Sequence, residues 1–276
     1  MKQHAQVISQ RNRSGWDDHK KAAFTQVDLL ATMVGVALLA AWFGFSHMGE
    51  RGRIAGCTRN LRVLGEATQE FANDHGSALP PAGVELLQTT WDMQLSPYLK
   101  PSLAKSNSPS DWRPLQQVVA PRFLCPSDPI LRGDHPRSYA MSAHNMEPIN
   151  WPPGPANTTG VGLWWSNDKI TALLGDRSNS QNLEALMLVK FSWLPDPANT
   201  LLLTEYPYED NRMGVMHRLT IANTTEQSAG MANMPAQFHH GRFNYLMADG
   251  HVESLTPLQT GAPGGDGGIW TIKAGD

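Results

Sequence analysis

Residues 29–45 carry no charge, and between Lys21 and Glu50 the single formal charge is Asp28. An apolar run of this length has few places to go. Counted from Phe24, a helix through residue 45 would be about 33 Å long at ~1.5 Å per residue, enough to cross a hydrocarbon core of ~30 Å. The sequence therefore predicts a transmembrane helix over residues 24–45. Asp28 is out of place in a plain anchor, because a carboxylate in such a segment costs up to ~3 kcal/mol at the bilayer centre and less near an end.

Beyond the run, Ile54, Cys57, Leu61, Leu64, Thr68 and Phe71 recur at three- and four-residue intervals, with Arg59, Arg62, Glu66 and Glu70 between them. This spacing predicts an amphipathic helix continuous with the first, since no proline interrupts residues 24–79. Asn73-Asp74-His75-Gly76 reads as its C-terminal stop, and Pro80-Pro81 lies just beyond. One long helix over residues 24–79 results, transmembrane over 24–45 and amphipathic over 46–79. A globular head over residues 80–276 must cover its apolar face.

Residues 1–23 are polar and lack apolar periodicity, so they read as a disordered cytoplasmic leader. A secretory signal peptide fits poorly, because no small-residue cleavage pattern follows the apolar run. Arg51, Arg53, Arg59 and Arg62 nearly balance the basic residues of the leader, so charge alone does not orient the chain. A net charge of −3 gives no electrostatic case for nucleic acid. Nine Trp and twenty Pro point to a loop-rich, aromatic-pinned head rather than a helical bundle.

Within the head, a short helix is expected over 91–99, a polar loop over 105–109, a strand over 138–142 and a surface loop over 144–180. A buried strand over 201–204 ends at Glu205. The clearest local pattern is a hairpin over 243–255, two alternating runs about the Asp249-Gly250 turn. The fold class is thus α+β, a long N-terminal helix on an antiparallel sheet. Cys57 and Cys125 are either one disulfide in an oxidising compartment or two free thiols.

The order Lys20-Lys21, small residues Ala22-Ala23, Phe24, an acid at the fifth place from Phe24, then a long apolar run resembles the N-terminus of type IV prepilins and type II secretion pseudopilins. The Cys57, Asn60-Leu61, Leu64-Gly65 and Phe71-to-Gly76 pattern, the fragments 123–128 and 138–142, and His239 spaced nine residues from Asp249-Gly250 resemble the prepilin-like families of planctomycetes and verrucomicrobia. That resemblance implies a pilin-like fold and cleavage between Ala23 and Phe24 by a prepilin peptidase, with methylation of the new amino terminus. It implies Asp28 as the carboxylate that docks a neighbouring subunit's amino terminus, and a bacterial inner-membrane, single-pass location among lipid with an extracytoplasmic head. After processing, pilin-like subunits would pack through their N-terminal helices into a filament. Ala23 and Asp28 stand where that family usually has Gly and Glu.

Other readings remain beside this one. An uncleaved anchor with a stray Asp28 explains the apolar segment alone. His239, Asp249 and His251, with His240 and Glu205 nearby in type, could bind a divalent metal such as zinc and make the chain an anchored metal-binding protein or hydrolase. Asp249 is already explained by its turn, and a histidine bonded to the hairpin backbone is the plainer role. No HExxH, CxxC or nucleophile-elbow pattern occurs, so neither enzyme activity nor a cofactor is predicted. Trp151, Trp164 and Trp165 would suit a surface-binding module only if exposed.

Overall fold

The structure is a computed structural model that describes residues 26–99, 112–144, 160–174, 188–227, 238–261 and 267–272. The chain divides into two compact units, Met1–His47 and Met48–Asp276. Helix α1 (Gln26–Asp74) contributes its first part to one and its second part to the other. The leader over residues 1–23, the Ala23-Phe24 junction and the loop over 105–109 lie outside the described residues.

In the first unit, Val27, Leu29, Leu30, Met33, Val34, Val36, Leu38 and Leu39 are all 56–72% exposed. Among the described residues, however, no helix is long and apolar enough to cross a membrane. The transmembrane helix expected over 24–45 is therefore corrected. Within this part of α1 the described side chains run from Gln26 to Leu39, about 21 Å of helix at ~1.5 Å per residue and short of a ~30 Å hydrocarbon core, and Gln26 and Asp28 stand at its start. The Thr32 hydroxyl donates to the Asp28 carbonyl at 2.7 Å, a local bond that helical backbone readily supplies.

In the second unit, the periodic residues of α1 do what their spacing requires. Cys57, Leu61, Leu64, Thr68 and Phe71 are buried, while Arg59, Arg62, Glu66 and Glu70 face water. The helix stops where Gly76 takes φ +63° and the Ser77 amide turns back to the Ala72 carbonyl at 2.8 Å. Such a left-handed exit satisfies carbonyls that the helix end leaves open.

Two sheets follow. Strands β1 (Gly83–Val84) and β2 (Thr89–Thr90) pair antiparallel, and β4 (Trp164–Trp165) joins β1 in parallel. The larger sheet is built from β3 (Tyr139–Ser142), β5 (Leu201–Glu205), β6 (Thr220–Ile221), β7 (Phe243–Met247) and β8 (Val252–Leu255), in the order β6-β3-β5-β7-β8. β3 and β6 run parallel, so the antiparallel sheet expected from sequence is corrected to a mixed one. A two-residue strand gives too short a pattern for its partner or direction to be read from sequence. Helices α2 (Trp91–Leu99) and α3 (Trp112–Phe123) pack on one another, and α4 (Asn167–Leu174) follows β4. Thus β4 and α4 occupy part of the stretch expected to be surface loop.

The central strands β3, β5 and β7 are buried at every residue, so both sheet faces are covered. α1 lies on the face that carries Asn244 and Leu246. Gly65 makes this close approach possible, since a Cβ there would meet the Leu246 Cδ1 at 3.0 Å. On the opposite side, Tyr245 meets Trp270 edge-on and its hydroxyl donates to Gln227 at 2.7 Å.

Beside the core lies a fully buried ion pair, Arg137 Nη1 to Asp92 Oδ1 at 2.8 Å. Arg137 also donates to Asn211 and to the carbonyls of His217 and Arg218, and its guanidinium lies 5.5 Å from the Trp91 ring centre. Gly214 N donates to the second Asp92 oxygen. Removing one partner of such a pair leaves the other charge buried alone, which costs about 3–5 kcal/mol. Arg137→Met should lower the urea unfolding free energy by about that amount, and Arg137→Met with Asp92→Leu should recover most of it. Equal losses in the single and double variants would show that packing, not charge, sets the cost.

Candidate functional site

The row Tyr139 on β3, Glu205 on β5 and Asn244 on β7 lies under α1. Tyr139 pairs across the sheet with Glu205, and Asn244 meets Glu205 through its amide and side chain. From above, α1 sets Cys57 over this row, with the Tyr139 hydroxyl 3.4 Å from the Cys57 carbonyl. The segment after α3 brings Cys125, whose amide is held by the Ser138 hydroxyl at 2.9 Å. Cys57 and Cys125 form a disulfide with Cα atoms 4.7 Å apart.

The last member comes from the turn Phe238–His240. His239 and His240 take φ of +43° and +59°, and Gly241 follows at +82°. Left-handed backbone costs a non-glycine residue about 1–2 kcal/mol, so two in succession are held by their surroundings. They carry the His239 ring into the interior, where its Nε2 lies 2.9 Å from Glu205 Oε1 and 3.3 Å from Cys125 Sγ. His239 Nδ1 is buried without a hydrogen-bond partner. Glu205 Oε2 accepts from Asn244 N at 2.7 Å and Oε1 from Asn244 Nδ2 at 2.9 Å. Alongside opens a cleft of about 370 Å³ lined by Glu50, Arg53, Pro126, Asp128, His239 and His240, among others.

This geometry excludes one chemistry and permits others. A nucleophilic Cys–His–acid relay needs the sulfur and the acid on opposite ring nitrogens. Here both partners meet Nε2, and both sulfurs are already bonded. What the arrangement can do is staple α1 to the head, exchange electrons at the sulfurs, or converge four donor atoms on one point.

The residues expected to act together do not all meet. His239 enters the buried cluster, whereas Asp249 stays exposed and His251 half-buried at the far end of β7. There Asp249 Oδ1 accepts the His251 amide at 3.0 Å and sits 2.6 Å from its Nδ1, while Gly250 takes φ +95°. The intervening strand β7 thus separates His239 from Asp249 and His251. Instead Cys57, Cys125, Glu205 and His239 offer ligand atoms within 4.8 Å of one another. His240 lines the cleft rather than the cluster. Asp28 lies in the first turn of α1 and is exposed. Trp164 is exposed, Trp165 is buried and Trp151 lies outside the described residues, so among the described residues these positions give no exposed tryptophan pair. Sequence reasoning missed Asn244 and Tyr139, which carry no motif of their own. Their signal was positional: each stands on a strand beside a flagged residue.

Burial and the nearby Glu205 charge push the Tyr139 hydroxyl well above its ordinary value of 10.0, and the same two causes raise Tyr245. Above pH 10 the unfolded chain loses these protons while the folded chain keeps them. Stability is therefore full below pH ~10 and falls as pH rises further, by about 1.4 kcal/mol per pH unit for each such tyrosine. Urea unfolding measured at successive alkaline pH values should show this slope, and Tyr139→Phe should flatten it by one tyrosine's share. An unchanged slope would remove Tyr139 from the account.

The disulfide closes 68 residues of chain, for which loop-closure entropy gives about 4 kcal/mol. Reduction, or Cys57→Ser with Cys125→Ser, should lower unfolding stability by about that much; a change below about 1 kcal/mol would show that noncovalent contacts alone seat α1.

Comparison with family models, with curated proteins and with solved structures finds no match for this chain.

Proposed function

We propose that this chain is a pilin-like or pseudopilin-like structural subunit that assembles with copies of itself through α1. The observation that carries the reading is the apolar surface from Val27 to Leu39, eight large side chains all more than half exposed. Successive residues of a helix turn by about 100°, so these side chains point in every direction around the axis. A helix apolar all round needs several neighbours, not one. The neighbours proposed here are the same helices of other subunits, a packing that requires exposed apolar surface but no membrane-spanning length.

Asp28 supplies register. In a bundle of such helices a lone carboxylate is costly, and the cationic amino terminus of a neighbour cut before Phe24 would neutralise it. Prepilin peptidase is the proposed processing partner, and N-methylated Phe24 the proposed first residue. The disulfide supports a head that matures in an oxidising, extracytoplasmic compartment.

The full chain, treated with a prepilin peptidase, should begin at N-methylated Phe24 by intact mass, and it should sediment as filaments visible by negative stain. Leu30→Lys with Val34→Lys should abolish sedimentation without changing the melting temperature of the folded head. Asp28→Ala should reduce assembly at least tenfold. Unimpaired filaments from the double lysine variant, or a chain still beginning at Met1, would sink this reading.

A further inference from the structure

We propose that Cys57, Cys125, Glu205 and His239 form a zinc site when the two cysteines are dithiol, so that cystine and zinc complex are alternative states of one cluster. The cluster is complete within one chain, whether or not subunits assemble.

The sulfurs, a carboxylate oxygen and an imidazole nitrogen lie within 4.8 Å of one another, and all four residues are buried. Tetrahedral zinc with bonds of about 2.0–2.3 Å spaces its ligands by about 3.3–3.8 Å, so side-chain rotations of an ångström or so suffice. The His239 Nε2 edge faces both the Cys125 sulfur and the Glu205 oxygen. Ligands of one metal share such a point; members of a relay are strung across two nitrogens.

The donor set then selects the ion. Two thiolates, an imidazole and one carboxylate suit zinc and not the hard cations magnesium or calcium. Asn244 already holds both Glu205 oxygens, as an outer partner of a ligating carboxylate does. The left-handed backbone at His239 and His240 is strain spent on seating this one ring. With no open position, the site is structural and not hydrolytic.

The two states interconvert by exchange with a small-molecule or protein disulfide. That oxidant's S–S bond breaks as the Cys57–Cys125 bond forms. Two electrons pass from the thiolates to the oxidant's sulfurs, which leave as two thiols after taking two protons, and one zinc ion is released. In the zinc state the Nε2 lone pair goes to the metal and the ring hydrogen sits on Nδ1.

The test uses the full chain, reduced with a phosphine, freed of it under nitrogen and titrated with Co²⁺. One Co²⁺ per chain should bind, with thiolate-to-cobalt charge transfer and the intense visible bands of tetrahedral coordination, both bleached by Zn²⁺. The disulfide form should show neither. Cys57→Ser or Cys125→Ser should remove most of the charge transfer, and His239→Ala and Glu205→Gln should each weaken binding at least tenfold. Asp249→Asn should change nothing. A disulfide oxidant should release one zinc per two thiols formed. Absence of charge transfer overturns the proposal, as does unchanged affinity in both His239→Ala and Glu205→Gln, which would reduce the site to two adventitious thiols. If reduction unfolds the chain, refolding on addition of Zn²⁺, read by far-ultraviolet circular dichroism, supports the proposal, and a chain that stays unfolded with zinc overturns it.

Discussion

The Glu205 side chain is out of reach of water, with the Asn244 amide, the Asn244 side chain and the His239 ring turned toward its two oxygens. A carboxylate taken out of water costs several kcal/mol unless donors surround it, and removing any of them exposes that cost. This single group therefore constrains three separate pieces of chain. β7 must keep its register so that Asn244 stands beside Glu205, the turn before it must stay left-handed so that His239 reaches in, and α1 must stay down as the lid. The disulfide holds that lid by a bond instead of by area alone.

The two parts of α1 illustrate how one secondary structure can serve opposite solvents. In the second unit the helix shows water a charged face and turns a narrow apolar stripe inward, with Gly65 allowing Leu246 to press against its backbone. In the first unit the large apolar residues are exposed instead. Exposed apolar surface of this extent on a folded chain marks a place where something else belongs.

Much of this was legible in the sequence where a local rule sufficed. The end of α1 follows from glycine's access to positive φ at Gly76, the β7–β8 turn from the same property at Gly250, and β5 from a short apolar run bounded by turn residues. Other features depend on partners that sequence spacing does not name. The parallel pairing of β6 rests on two residues, and α3 carries Pro114 and Pro121, residues that do not announce a helix. The candidate site was half visible: His239 and Glu205 were flagged, and so were the cysteines, but as separate matters. The alternative that grouped His239 with Asp249 and His251 leaned on nearness in sequence, while β7 carries the chain away from the cluster. The membrane span is a separate matter: among the described residues the apolar side chains of the first unit cover too short a length of helix to cross a bilayer.

The disulfide also orders events in time. Cys57 and Cys125 are the only cysteines, so there is one possible ring within a chain and nothing to reshuffle. Glu205 follows Cys125 by 80 residues, 205 less 125, and at roughly 5–20 residues per second of synthesis that gap is several seconds. On a growing chain the ring can close before β5 and β7 exist. The sheet would then be laid against a helix already tied in place, and the latest-made strands would meet a template rather than search for one.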